Sequence, residues 1–183
     1  MLFYAIGVLI TLAIIWLIFT YNTLVKNRLK VENQWSQIDV QLKMRADLIP
    51  NLVETVKGYA KHENETLTQV IQARNAYLAA GTPQESMKAT GELTNLLSRL
   101  MVLSENYPEL KADKNFAHLQ EQLSTIEKRI ADYRQFYNDT VMLYNQSIQT
   151  FPNNLAATLF SFQKQNFWEI DSVDRNTPRV DFS

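Results

Sequence analysis

The chain has 183 residues, a formal net charge of -1 and no cysteine. Near-neutrality gives no electrostatic footprint for nucleic acid, and the lack of cysteine removes disulfides, thiolate metal sites and a thiol nucleophile. Four glycines and five prolines are few turn residues for an all-β or α/β chain, so the composition points to an all-α protein.

Residues 2–19 read LFYAIGVLITLAIIWLIF, and no charged side chain precedes Lys26. Such a run makes about 27 Å of helix, close to the roughly 30 Å hydrocarbon core of a bilayer. A cleaved signal peptide would need a basic start and a small-residue cut site. Met1-Leu2-Phe3 and Thr20-Tyr21-Asn22 supply neither. Residues 1–25 are therefore expected to be an uncleaved transmembrane anchor, with the lipid bilayer as partner. Lys26, Arg28 and Lys30 follow the span closely, so the positive-inside rule places the C-terminal part on the cytoplasmic side.

An apolar stripe then runs at alternating three- and four-residue steps through Val31, Trp35, Ile38, Leu42, Arg45, Ile49, Leu52, Val56, Tyr59, Glu63, Leu67, Val70, Arg74 and Tyr77. This heptad predicts one long helix packed nearly parallel or antiparallel to partners and ending near Ala80. Pro50 removes a backbone N–H and crowds the carbonyl four residues back. Because the apolar phase resumes after it, a kink is expected there and not a chain reversal.

Gly81-Thr82-Pro83-Gln84-Glu85 is the clearest punctuation. Gly81 suits a left-handed helix C-terminus, Thr82 an N-cap, Pro83 the first helical position and Glu85 a capping box. A second helix is predicted from there to about Asn106, using Met87, Leu93, Leu97, Leu100, Met101 and Leu103. After Tyr107-Pro108 and a short charged connection, Asn115 is expected to cap a third helix. Its stripe is Phe116, Leu119, Leu123, Ile126, Ile130, Tyr133, Tyr137, Val141, Tyr144, Ile148 and Phe151. A short helix over 155–162 and an extended tail over 163–183 follow, the tail's aromatics docking and its last residues fraying. The expected architecture is thus all-α: an N-terminal transmembrane helix continuing into an elongated antiparallel helical bundle of three long helices plus a short C-terminal one, the bundle covering 26–162.

Several runs match a known family. They are Tyr21-Asn22-Thr23-Leu24-Val25, Asp39-Val40-Gln41-Leu42-Lys43, Asp47-Leu48-Ile49-Pro50-Asn51-Leu52-Val53 and Val56-Lys57-Gly58-Tyr59-Ala60. Tyr107-Pro108-Glu109-Leu110-Lys111-Ala112, Asn115-Phe116, Tyr137-Asn138, Tyr144-Asn145 and Phe151-Pro152 continue them in order. The sequence closely resembles the LemA family over nearly its whole length. The resemblance implies a bacterial protein with one N-terminal membrane span and a long antiparallel helical bundle, hence the bacterial inner membrane. It implies no reaction.

Five residues stand out as a buried polar network or interaction candidates. Arg45, Glu63 and Arg74 interrupt the apolar stripe, and a charge there must be paired, snorkel, or serve a ligand. Internal pairing that fixes helix register is the favoured expectation. Asn138 and Asn145 each follow a tyrosine, one heptad apart, and suit hydrogen bonding across a helix interface. His62-Glu63-Asn64-Glu65 lacks the second histidine a zinc helix needs, so it reads as a solvated face.

No phosphate loop or nucleophile elbow is present, so neither an enzyme nor a cofactor is expected. The expected function is a non-enzymatic single-pass membrane scaffold that self-assembles and organises or remodels the membrane. A homo-oligomer is expected because a first helix of roughly 50 residues outruns its partners. The alternative is a monomeric adaptor docking other membrane proteins, such as a membrane protease.

Overall fold

The computed structural model describes residues 1–169, and these are all-α, with no strand among them. Six helices follow in order: α1 Leu2–Tyr59, α2 Asn64–Ala79, α3 Pro83–Ser104, α4 Pro108–Lys111, α5 Lys114–Gln149 and α6 Asn153–Leu159. The chain forms two compact units, one of Met1–Gln37 with Tyr133–Phe167, the other built on Ile38–Asp132. Helices α1 and α5 contribute to both.

The unit built on Ile38–Asp132 departs from the predicted single first helix. Helix α1 ends at Tyr59, the chain turns over Ala60–Glu63, and α2 runs back along α1. The reversal is fixed by two long-range contacts: Arg74 reaches Ala46, and Tyr77 reaches Asp39. Pro50 instead stays inside α1, which continues to Tyr59. The heptad could not show this turn, because both arms of the resulting hairpin present their stripes to one core. Ile49, Leu52 and Val56 on α1 and Leu67, Val70 and Ala73 on α2 are buried together. Leu93, Leu97 and Leu100 of α3 and Phe116, Leu119 and Leu123 of α5 complete the cluster. Four helical segments, not three, therefore surround this core. Tyr59 is the stripe position that the turn leaves exposed, at 40%.

The capping signals hold with two exceptions. The Thr82 hydroxyl accepts from the Glu85 N–H and the Glu85 carboxylate accepts from the Thr82 N–H, so the capping box is complete with Pro83 at the helix start. No glycine among the described residues takes a positive φ, so Gly81 is not the left-handed cap. Its N–H donates to the Glu85 carboxylate at 2.8 Å instead. Asp113, and not Asn115, caps α5: its carboxylate accepts from the Phe116 N–H at 2.9 Å and from the Tyr59 hydroxyl at 3.0 Å.

In the other unit, every residue of α1 from Leu2 to Ile15 is exposed. Cover begins at Trp16 and Leu17, which are half-buried, and Thr20, Leu24 and Val31 are buried. Tyr137, Val141, Tyr144 and Ile148 of α5 fill the same core, as the stripe predicts. Phe151, the last stripe position, does not: it is 80% exposed. The predicted short helix lies two residues earlier than expected, at Asn153–Leu159, and packs through Ala156 and Ala157. Phe167, where this unit ends, is exposed, and Trp168, which belongs with the unit of Ile38–Asp132, is buried; the expected fraying of the last residues falls outside the described part.

Candidate functional site

The bundle core holds a polar layer. Arg45 is 1% exposed, the largest wholly buried side chain. Its Nη1 donates to Glu127 Oε1 at 2.7 Å and to Thr94 Oγ1 at 2.9 Å, tying α1 to α5 and α3 at one level. Thr94 Oγ1 in turn donates to the Thr90 carbonyl one turn earlier. A buried guanidinium survives only with such partners, and Glu127 keeps 39% of its side chain in solvent, which lowers the cost of the pair. Gln41 Oε1, Arg45 Nε and Thr90 Oγ1 are buried with no hydrogen-bond partner among the described residues.

Arg74 answers a different need. Its Nε donates at 2.8 Å to the carbonyl of Ala46, four residues before Pro50. A helical carbonyl accepts from the N–H four residues on, and proline has none. Beside it, the Tyr77 hydroxyl donates to Asp39 Oδ1 at 3.1 Å. Burial first, then the Asp39 carboxylate, pushes the Tyr77 hydroxyl well above the usual tyrosine range.

Glu63 lies apart from both. It accepts from the Tyr107 hydroxyl at 3.2 Å and holds the α1–α2 turn to the segment after α3. Burial and this bond raise the Tyr107 hydroxyl. His62 and His118 are both exposed, and among the described residues no three metal-ligating side chains converge.

In the other unit, Tyr137, Tyr144 and Asn145 of α5 hold the chain's own tail. Asn145 Nδ2 donates to the Gln165 carbonyl at 2.8 Å, and Gln165 N–H donates to Asn145 Oδ1 at 2.9 Å. The side-chain amide thereby pairs with the backbone as a neighbouring strand would. The Tyr144 hydroxyl donates to the Gln163 carbonyl at 2.9 Å and the Tyr137 hydroxyl to the Asn166 carbonyl at 3.0 Å. Tyr137 also meets Trp35 edge-on at 5.9 Å. Burial raises both tyrosines, with Arg28 working against it at Tyr144. Asn138 is half-buried one heptad earlier on α5.

Of the five sequence candidates, then, Arg45 and Arg74 share one unit, Glu63 closes its turn, and Asn145 grips the tail. Thr94, Glu127 and Asp39 were not foreseen, since each is an ordinary exposed-face residue until a partner helix arrives. The Ala46 carbonyl was foreseeable from Pro50; its donor was not.

A profile of the LemA family matches residues 34–182. The chain belongs to the LemA family. Protein LemA of Metamycoplasma hominis (strain ATCC 23114) is 23% identical over 94% of this chain and 80% of its own length. Magnetosome protein MamQ 2 of Paramagnetospirillum magneticum (strain AMB-1) is 26% identical over 84% of this chain and 66% of its own. Magnetosome protein MamQ of Magnetospirillum gryphiswaldense (strain MSR-1) is 25% identical over 90% and 70%. The LemA match starts within α1, beyond the apolar run of residues 2–19. In this LemA chain that run is the N-terminal part of α1 and has the length and composition of a membrane span.

Proposed function

We propose that this LemA-family chain is a single-pass protein of the bacterial inner membrane. Its helical part stands on the cytoplasmic side and works by association, without catalysis. The apolar start of α1 carries this reading: an 18-residue window of mean hydropathy 2.7 has no buried residue, a surface that water does not tolerate and a bilayer does. The likeness to two magnetosome proteins supports work at a membrane. Lys26, Arg28 and Lys30 support the cytoplasmic side.

Self-assembly into a scaffold stays part of the proposal on altered grounds. The stripe of α1 and α2 is covered by the chain itself, so it is not the seam. The outward face of α5 offers another: Phe136 and Leu143, one heptad apart, are 56% and 59% exposed, with Met142 beside them. A monomeric adaptor would use the same face on another membrane protein.

Because the chain has no cysteine, single cysteines report cleanly. Glu121→Cys should resist a membrane-impermeant maleimide in intact cells and react after lysis; reaction in intact cells places the helical part outside. Extraction of the full-length protein by alkaline carbonate sinks the anchor. The absolute mass in mild detergent, compared with Leu143→Glu, decides assembly: a multimer that the substitution splits supports the scaffold, and a monomer leaves the adaptor.

A further inference from the structure

We infer that the turn around Phe151 and the outward face of α6 form a second, interfacial membrane contact beside the anchor, bedded in the headgroup and acyl boundary of the bilayer. The inference rests on the anchor reading above.

Helix α6 is built inside out for a helix facing water. Its small residues, Ala156 and Ala157, face the protein, while Leu155 and Leu159, one turn apart, are 57% and 65% exposed. Phe151, four residues before Leu155, is exposed as well. In water the two leucines would be expected inside and the alanines out. No Asp, Glu, Lys, Arg or His occurs between Asp139 and Lys164, so this stretch brings no full charge to the boundary.

Position makes the bilayer the occupant. Phe160, directly after α6, packs edge-on against Tyr21 at 4.8 Å, and Phe162 meets the same ring at 5.9 Å. Tyr21 is two residues beyond the apolar run and five before the first charge, Lys26. The cover on α1 starts still deeper, at Trp16 and Leu17, inside that run. A span seated in hydrocarbon up to Phe19 therefore brings what covers Trp16 to Thr20 to the membrane boundary with it. The chain leaves that level in the right direction: Phe162 lies beneath the Arg28 guanidinium at 5.7 Å, and Lys164 is the next charge. Tyr21, Phe160 and Trp16 are the ring types that gather at membrane interfaces, and Arg28 is placed to meet headgroup phosphates.

The test uses the full-length protein in phosphatidylethanolamine–phosphatidylglycerol vesicles, with one fluorophore per molecule on Phe151→Cys, Leu159→Cys, Leu12→Cys or Asp139→Cys. All four sites are exposed, so labelling leaves the core intact. Nitroxide lipids carry the quencher either at the headgroup boundary or deep in the acyl chains. Leu12 should be quenched by the deep probe. Phe151 and Leu159 should be quenched by the shallow probe, at least about threefold more than Asp139, which lies on α5 two residues past the Tyr137–Trp35 contact. Quenching at Leu12 with Phe151 and Leu159 no different from Asp139 overturns the interfacial contact and leaves the anchor standing. No quenching at Leu12 removes the anchor, and the inference falls with it.

Discussion

Arg74 supplies to Ala46 the hydrogen bond that Pro50 withholds. The carbonyl of Ala46 would accept from residue 50 in an unbroken helix; it accepts instead from Arg74 Nε at 2.8 Å, across the α1–α2 hairpin. Ala46 is wholly buried, so water cannot fill the position. A proline inside a packed helix and an arginine on an apolar stripe are two halves of one device, and together they set the register of α2 on α1.

Arg74→Met should therefore cost about 1–3 kcal/mol, the penalty of a buried carbonyl left unpaired. In a Pro50→Ala background the restored N–H takes over, and the same substitution should cost about 1 kcal/mol less. Denaturant unfolding of the four proteins in mild detergent, followed by circular dichroism, measures the coupling. Strictly additive effects would show that the two residues do not share the Ala46 carbonyl.

The Arg45–Glu127 pair should respond asymmetrically. Glu127→Ala strands a guanidinium that is 1% exposed and should cost about 3 kcal/mol. Arg45→Met fills the space with apolar atoms and frees a carboxylate that already reaches solvent, so about 1 kcal/mol or less is expected. The same unfolding series checks the order of the two variants; equal losses would contradict the account.

Asn145 should hold the tail more strongly than either tyrosine. Asn145→Ala removes both bonds to Gln165, whereas Tyr144→Phe removes one to Gln163. Amide exchange at Gln165 should accelerate at least about tenfold in the first variant and little in the second. Unchanged protection of Gln165 in Asn145→Ala would mean that something else holds the segment.

Stability should fall at both ends of the pH range for identifiable reasons. The Phe116 N–H and the Tyr59 hydroxyl hold Asp113 below its ordinary value of 3.8. A depressed carboxylate stabilises the fold above its unfolded value, and that contribution is lost as pH falls through the folded one. Asp113→Asn should thus be less stable than wild type at neutral pH, with the gap closing in acid. Tyr77 behaves oppositely: its raised value gives stability that is complete below the ordinary 10.0 and is lost as pH climbs toward the folded value. Tyr77→Phe should flatten that alkaline limb. A gap that persists in strong acid, or an unchanged alkaline limb, would assign the losses to other groups.

Much of this was written locally in the chain. The apolar run before Lys26, the Thr82–Pro83–Glu85 start of α3 and the buried positions from Val31 to Val56 need only neighbours a few residues away. Local sterics, hydrogen bonding and periodicity determine them. The reversal over Ala60–Glu63 was not legible, for a physical reason. It carries neither proline nor glycine, and the nearest glycine, Gly58, lies inside α1. The heptad phase also passes through it unbroken, because both arms face the same core.

What only the tertiary structure decided is which partner each polar residue meets. Arg45, Arg74 and Asn145 could be recognised as costly to bury, but Glu127, Ala46 and Gln165 lie 82, 28 and 20 residues away. Phe151 shows the same limit from the other side. Periodicity put it on the buried stripe of α5, yet the helix ends two residues before it, and the ring stands exposed. Sequence determined where burial is wanted, since that is a property of each side chain. Tertiary structure decided what covers it, since that depends on where the chain turns.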